Sequence, residues 1–363
     1  MGNAELIACN ILSRPSDPIY AERIRQFQGC PTLAITPGGR IYLGWYSGGT
    51  REPHMDNYNL LIYSDDRGAT WSQPLLIIPS SRERLVHALD IQLWTAPNGD
   101  LHVYWVQNNV EVAQPGDPRF TVDGFVMAER QHAEWRMICR NPDDTDPVFG
   151  QPVCLDRGFL RCKPLALHDG RWIQFNYDQS NDRYGYSISD DAGNTYTHRY
   201  GGRKVDTWFD EAMAYERLDG SIRMLARTKS NGIAESFSYD RGETWTDGAP
   251  SGIAAPDTRH YIARLASGRL LLIYNDHPNT RTNMTVCLSE DDGATWKYKR
   301  CIDARNGVSY PDADEHDGRI YMTYDRDRNG AGEILFLSFT EADLINDALP
   351  VPQVISKNGR NIK

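Results

Sequence analysis

The sequence predicts an all-β protein, a six-bladed β-propeller of four-stranded antiparallel blades. Two repeats predict it. A hairpin motif of apolar strand, glycine-containing turn and apolar strand occurs six times along 363 residues. Beside the hairpins, an eight-residue turn with the pattern SxDxGxTW, or a near-copy, occurs four times. A third observation excludes helical classes: no apolar pattern with helical period runs for about a dozen residues, and no linker divides the chain.

The hairpins occupy residues 31–47, 90–107, 163–179, 211–228, 260–276 and 310–327. Their turn dipeptides are Gly-Gly, Asn-Gly, Asp-Gly, Asp-Gly, Ser-Gly and Asp-Gly, which supply the positive φ that tight hairpins need. The flanks are rich in Ile, Leu, Tyr and Trp, which suits buried strands. Copies lie roughly 50 to 70 residues apart, room for about four strands each, and radial repetition leaves few open sheet edges. The eight-residue turns, 64–71, 189–196, 238–245 and 289–296, follow a third strand in copies 1, 3, 4 and 5. The last unit is expected to close the ring by pairing residues 332–339 with an N-terminal strand near 5–12. Residues 1–363 read as one domain, with blade cores over about 25–340 and a surface tail over 346–363.

Composition narrows the function classes. A net charge of −10 argues against nucleic acid or an anionic membrane as partner, since both favour clustered Lys and Arg. No apolar run is long enough for a transmembrane helix, and the N-terminus lacks a secretory pattern, so the expected location is cytoplasmic, or secreted if a leader has been removed. Seven cysteines, at 9, 30, 139, 154, 162, 287 and 301, form no CxxC pair and read as reduced, mostly buried thiols. No cofactor or metal is expected. The acidic turn lacks the alternating oxygen ligands and distal Glu of a calcium loop. Its Ser and Asp suit backbone hydrogen bonds, its Gly a left-handed turn, and its Trp packing between sheets.

In a propeller the starts of the innermost strands converge at one mouth. Here they are Gly29–Cys30, Asp90, Lys163, Asp210–Glu211, Arg259–His260 and Ser309–Tyr310, a polar set where apolar residues would suffice for packing. Asp90, Gln92, Lys163, Asp210, Asn275 and Asp325 are candidates to bind hydroxyls, and Trp45 and Trp94 to stack on a sugar ring.

The four turns resemble the Asp-box of the sialidase (neuraminidase) superfamily, and the resemblance covers roughly residues 25–340. It implies a six-bladed propeller and a tyrosine nucleophile activated by a glutamate, with an aspartate acid/base and three arginines on the substrate carboxylate. A neutral phenol approaches an anomeric carbon that bears a carboxylate without the repulsion a carboxylate nucleophile would meet. On the family's spacing, Glu211 at the fourth inner strand is the base and Arg227, 16 residues on, is a clamp arginine. Arg281, before the strand leading into the last Asp-box, is another, and Tyr310 is the nucleophile. Asp56 in the loop SGGTREPHMDNYN is the acid/base, with His54 as its rival. One position departs from the pattern. Where the family's first arginine opens the first inner strand, this chain reads QGCPTL, with Gly29 or Cys30 in its place. Arg25 lies upstream, and Arg259 at the fifth mouth is the better-placed cation.

The resemblance implies a retaining exo-glycosidase acting on a terminal, anionic sugar of a glycan. The alternatives are a polysaccharide lyase on the same fold, using Tyr310, His54 and Arg227, and a non-catalytic carbohydrate-binding propeller.

Overall fold

The computed structural model describes residues 8–127 and 132–359. The protein is all-β, with 46% strand and 3% helix. All six predicted hairpins form, and the glycine of each turn has positive φ: Gly39, Gly99, Gly170, Gly220, Gly268 and Gly318. Each hairpin extends into a meander. Among the described residues there are six sheets of four or more strands.

The first sheet runs Gln28–Ile35, Ile41–Gly48, Asn57–Ser64, Leu76–Pro79 and Leu12–Ser13. The second runs Val86–Thr95, Leu101–Asn109, His132–Cys139 and Val153–Arg157. The third is Leu165–Ala166, Trp172–Gln174, Arg183–Ser189 and Thr197–Arg203. The fourth is Met213–Glu216, Ile222–Ala226, Ala234–Ser238 and Ala249–Pro250. The fifth is Tyr261–Arg264, Leu270–Asn275, Met284–Ser289 and Lys297–Asp303. The sixth is Val308–His316, Arg319–Arg326, Glu333–Thr340 and Gln353–Ser356.

By packing, the chain forms two compact units. One comprises the described residues up to Phe159, with Arg328–Ile334 and residues 355–359. The other comprises Leu160–Asp327 and Leu335–Val354. Each has its own apolar core. In the first unit, residues such as Leu61, Leu93 and Trp105 pack between the first two sheets. In the second unit, one cluster around Ile173, Tyr186 and Met224 joins the third and fourth sheets, and a larger one extends through the fifth and sixth. No helix among the described residues is long and apolar enough to cross a membrane.

The eight-residue turns are structural, as expected. In each, the serine ends the third strand of its sheet and the turn leads to the fourth. In the last copy Ser289 Oγ donates to Asp291 Oδ1 (2.8 Å) and accepts from Gly293 N (2.8 Å), while Asp291 Oδ1 also accepts from Thr295 N (2.8 Å). The other three copies repeat this network. Trp245 packs edge-on against Tyr186 of the third sheet and against Phe175, which follows that sheet's second strand, the expected wedge between sheets.

The expected closing pair does not form. Gln353–Ser356, from the segment read as a surface tail, is the outer strand of the sixth sheet beside Glu333–Thr340. Leu12–Ser13 pairs instead with Ile77 and Leu76 of the first sheet, and residues 5–7 lie outside the described residues. The sixth sheet has no Asp-box. Its third strand runs into a short helix, Glu341–Ile345, whose capping box joins Thr340 and Asp343.

Candidate active site

The second unit brings Tyr310, Glu211, Arg227, Arg281 and Arg259 together, and a β-bulge presents the tyrosine. In the sixth sheet Ser309 pairs with Asp325 and Asp312 with Thr323, so Tyr310 and Pro311 face the single residue Tyr324. Tyr310 has φ 54°, a region costly for a bulky side chain, on the order of 1–3 kcal/mol. The surroundings hold it there. Arg259, 2% exposed, donates from Nη2 to the carbonyls of Tyr310 and Pro311 (3.2 Å each) and from Nη1 to Arg161 O (2.8 Å). Ser309 Oγ donates to Asp325 Oδ1 (2.6 Å), and Lys163 Nζ lies 3.4 Å from Asp312 Oδ2.

The same one-residue excess recurs in the fourth sheet. There Asp210 O accepts from Arg227 N (2.8 Å) and Met213 pairs with Leu225, leaving Glu211 (φ 37°) bulged. In the first unit, Cys30 (φ 56°) and Asp90 (φ 57°) occupy equivalent bulges, opposite Trp45 and Trp105. Bulges re-aim side chains. Here they do so at four of the six predicted mouth positions.

Tyr310 Oη donates to Glu211 Oε1 at 2.8 Å. Arg227 Nη1 bridges the pair, donating to Glu211 Oε2 (2.8 Å) and to Tyr310 Oη (3.0 Å). Arg161 Nε lies 3.5 Å from Glu211 Oε1, and its guanidinium stands 5.3 Å from the Tyr310 ring centre. Tyr310 and Glu211 are 5% and 2% exposed. Burial alone would raise the Glu211 carboxyl. The Arg227 and Arg161 guanidiniums outweigh it and hold the group at about 2, so Glu211 is an ionised acceptor at neutral pH.

Two arginines keep donors to spare. Of its five N–H groups, Arg227 commits Nε to Asp257 Oδ1 (2.5 Å) and Nη1 to the Tyr–Glu pair. Its Nη2 makes no hydrogen bond to the described protein. Arg281, 5.5 Å from the Tyr310 ring centre, donates only from Nη2, to Asp257 O (3.0 Å). Its Nε and Nη1 have no protein acceptor among the described residues.

Several expected substrate contacts are engaged with protein partners. Arg259, expected to bind substrate, braces the Tyr310 bulge, because both its Nη atoms serve backbone carbonyls. Lys163 and Asp325 support the same bulge. Asp210 is a buried carboxylate 2.9 Å from Lys204 Nζ. Asn275 bridges the carbonyls of Thr282 and Val308, and burial holds the His260 imidazole down at about 4. Arg161 and Asp257 were not anticipated. Each lies two residues before a predicted mouth residue, Lys163 and Arg259, and strand alternation was the signal that could have found them.

The first unit holds Asp56, His54 and Asp90. Asp56 is largely exposed and accepts from Arg82 Nη2 (2.9 Å), which also serves Asp123. His54 is buried, and its Nδ1 accepts from Asp56 N (3.1 Å), so a neutral ring carries its hydrogen on Nε2. Asp56 lines a cavity of ≈ 400 Å³ with Tyr20, Arg25, Met55 and Tyr58. Asp90 is buried in its bulge, and the Gln92 amide donates to Thr32 Oγ1 and Leu93 O. The proposed sugar platforms are core: Trp45 Nε1 donates to Gln28 Oε1, and Trp94 packs on His102. Arg25 is tied to Tyr20 O and Ser356 Oγ and stacks on Trp45. A Cβ at Gly29 would lie 2.6 Å from Arg328 Cδ. An arginine does stand against the first inner strand, but it comes from position 328, pairs with Glu52 at 3.4 Å, and requires glycine beside it.

The profile of the BNR repeat-like domain family matches residues 39–322. The chain belongs to the BNR/Asp-box sialidase superfamily. It is 31% identical over 180 residues to an anhydrosialidase of Macrobdella decora, covering 43% of this chain and 23% of that protein. A leech intramolecular trans-sialidase in complex with 2,7-anhydro-Neu5Ac aligns at TM-score 0.70 and 16% identity, over 94% of this superfamily member and 71% of that chain. The Ruminococcus gnavus intramolecular trans-sialidase aligns at TM-score 0.66 and 17% identity, over 93% and 98%. A Dyadobacter fermentans protein of unknown function aligns at TM-score 0.65 and 19% identity, over 88% and 96%. At these identities the structural likeness is one of fold.

Proposed function

We propose that this chain is a sialidase-like, retaining glycoside hydrolase that releases a terminal anionic sugar from a glycan, built as one six-bladed propeller with each of the six sheets a blade. The observation that carries the reading is the contact among Tyr310, Glu211 and Arg227. A phenol 2.8 Å from an ionised carboxylate has the separation that a nucleophile and its base require, which supports the reading. Because Glu211 is held at about 2, the resting pair is phenol and carboxylate, and the proton moves only as Tyr310 Oη bonds to the anomeric carbon. Arg227, touching both oxygens, stabilises the charge on either side of the transfer. As that bond forms, the glycosidic C–O bond breaks and its oxygen takes a proton from the general acid, for which the reading keeps Asp56, with His54 second. Water then cleaves the sugar–Tyr310 bond. The spare donors of Arg227 and Arg281 support recognition of an anionic group on the sugar.

The test is hydrolysis of a sialoside, a rhamnoside and a uronide, followed by substitution. Tyr310→Phe and Glu211→Gln should each lower kcat by about 10²–10⁴-fold on the substrate found. Full activity in either variant would sink the nucleophile assignment. An unsaturated uronate product would establish the lyase instead.

The names of two relatives favour a second reading, intramolecular transfer, in which a hydroxyl of the bound sugar replaces water in the second step. Mass spectrometry separates the two, since the anhydro product lacks one water relative to the free sugar.

A further inference from the structure

We infer that Asp257 is a positioning residue that sets selectivity for the anionic group, by anchoring both arginines that keep free donors beside Tyr310. The inference rests on the reading of Tyr310, Glu211 and Arg227 as a glycan site. Asp257 lies in the segment before the fifth sheet's first strand, and none of the family spacings calls for it. Its carboxylate accepts from Arg227 Nε at 2.5 Å, and its main-chain carbonyl accepts from Arg281 Nη2 at 3.0 Å.

Geometry explains what this anchoring accomplishes. Arg227 is held from two sides. Nη1 is fixed by Glu211 and Tyr310, and Nε by Asp257. A planar guanidinium pinned at Nε and Nη1 has no remaining rotation, so Nη2 points in one direction. Arg281 is tethered to the same residue through the carbonyl and lies over the Tyr310 ring. One loop residue thus sets the relative placement of two guanidiniums whose unused N–H groups flank the nucleophile. Two guanidiniums with unused donors beside one residue fit a carboxylate. Asp257 also contributes one negative charge beside two cations. That lessens their mutual repulsion before the ligand arrives and leaves Arg281 without a carboxylate partner.

The test measures binding by calorimetry in Tyr310→Phe protein, which blocks turnover. The probes are N-acetylneuraminic acid, its methyl ester and galacturonic acid. In Asp257→Ala, binding of the better acid should weaken by about 10- to 100-fold, the loss of a charge-assisted contact, while the ester changes by less than about threefold. Asp257→Asn keeps an oxygen for Arg227 Nε and should fall between. The carbonyl survives both substitutions, so the loss is that of the Arg227 arm. In the active enzyme the same variants should raise KM more than they lower kcat. Equal losses for acid and ester overturn the inference, as does no loss for either acid or failure of the Asp257 protein to discriminate acid from ester. If sialosides are hydrolysed but Asp257→Ala is silent, the inference fails and the proposed activity stands. If no sugar is released but acid binding depends on Asp257, the activity fails and the inference stands.

Discussion

Two adjacent carboxyls in the second unit show how strongly neighbours set chemistry. Glu211 is held at about 2 despite burial because two guanidiniums face it. Asp210 is pushed up to about 6 by burial, which the single Lys204 ammonium 2.9 Å away does not offset. The signs of the stability effects are opposite. Glu211 is more acidic folded than unfolded, so its contribution is present above the ordinary carboxylate range and is lost as pH falls toward 2. Asp210 binds its proton more tightly when folded, so the fold loses stability as pH rises from the ordinary carboxylate range to about 6. Asp210→Asn should remove that loss. By urea denaturation, its stability relative to the parent should climb between pH 4 and 7 by on the order of 3 kcal/mol. A difference that stays flat with pH would mean Lys204 keeps Asp210 ionised throughout. At this scale the cluster was legible, because Tyr310, Glu211, Arg227 and Arg281, which the structure brings together, sit at informative spacings along the chain. Arg161 and Asp257 were not, since their roles come from contacts with residues 50 and 30 positions away. The bracing by Arg259 was not legible, because a charged residue at a mouth looks the same in sequence whether it faces substrate or a backbone carbonyl.

The elements were legible wherever a local rule dictates them. Asn-Gly, Asp-Gly and their kin specify tight hairpins on their own, and all six hairpins form. The bulges at Cys30, Asp90, Glu211 and Tyr310 were not legible, because a bulge is a mismatch of register between two strands and neither strand reveals it alone. The outer strand Gln353–Ser356 was missed for a similar reason: its pairing with the third strand of the sixth sheet is non-local. The T-E-A-D run at Thr340–Asp343 did carry a capping-box signal, but the helix it starts is too short for a periodic search. Two Asp-box glycines, Gly242 and Gly293, meet a neighbouring sheet as well as turning the chain. Gly293 has φ 85°, and a Cβ there would lie 2.4 Å from Tyr215 Oη of the fourth sheet. Gly220 has φ 81° with nothing within 4 Å of an added Cβ. Gly220→Ala should cost about 1 kcal/mol for the backbone alone, whereas Gly293→Ala adds overpacking of about 1–3 kcal/mol. Denaturant titration of both variants measures the difference. Equal costs would show that the turn does not lock the fifth sheet against the fourth.

At the scale of the whole molecule, repetition made the all-β class legible, because six hairpins with glycine turns leave little room for helices. The same repetition says little about chemistry, which depends on the few positions where the copies differ. The thiols test the packed state of both units at once. Seven cysteines are free; five are buried, Cys154 is half-buried and Cys301 exposed. Burial pushes Cys9, Cys162 and Cys287 up to about 12, which leaves almost no thiolate at neutral pH, and thiolate is the reactive form. Without reductant, a dithionitrobenzoate titration of the native protein should find Cys301 reacting first and Cys154 more slowly, and all seven should react in denaturant. Fewer than seven after unfolding would reveal a disulfide. Rapid native reaction of Cys162 would be the more serious result. Its Sγ donates to the Glu211 carbonyl at 3.3 Å, so a reactive thiol there would mean that the Glu211 bulge opens in solution, and the Tyr310–Glu211 contact with it.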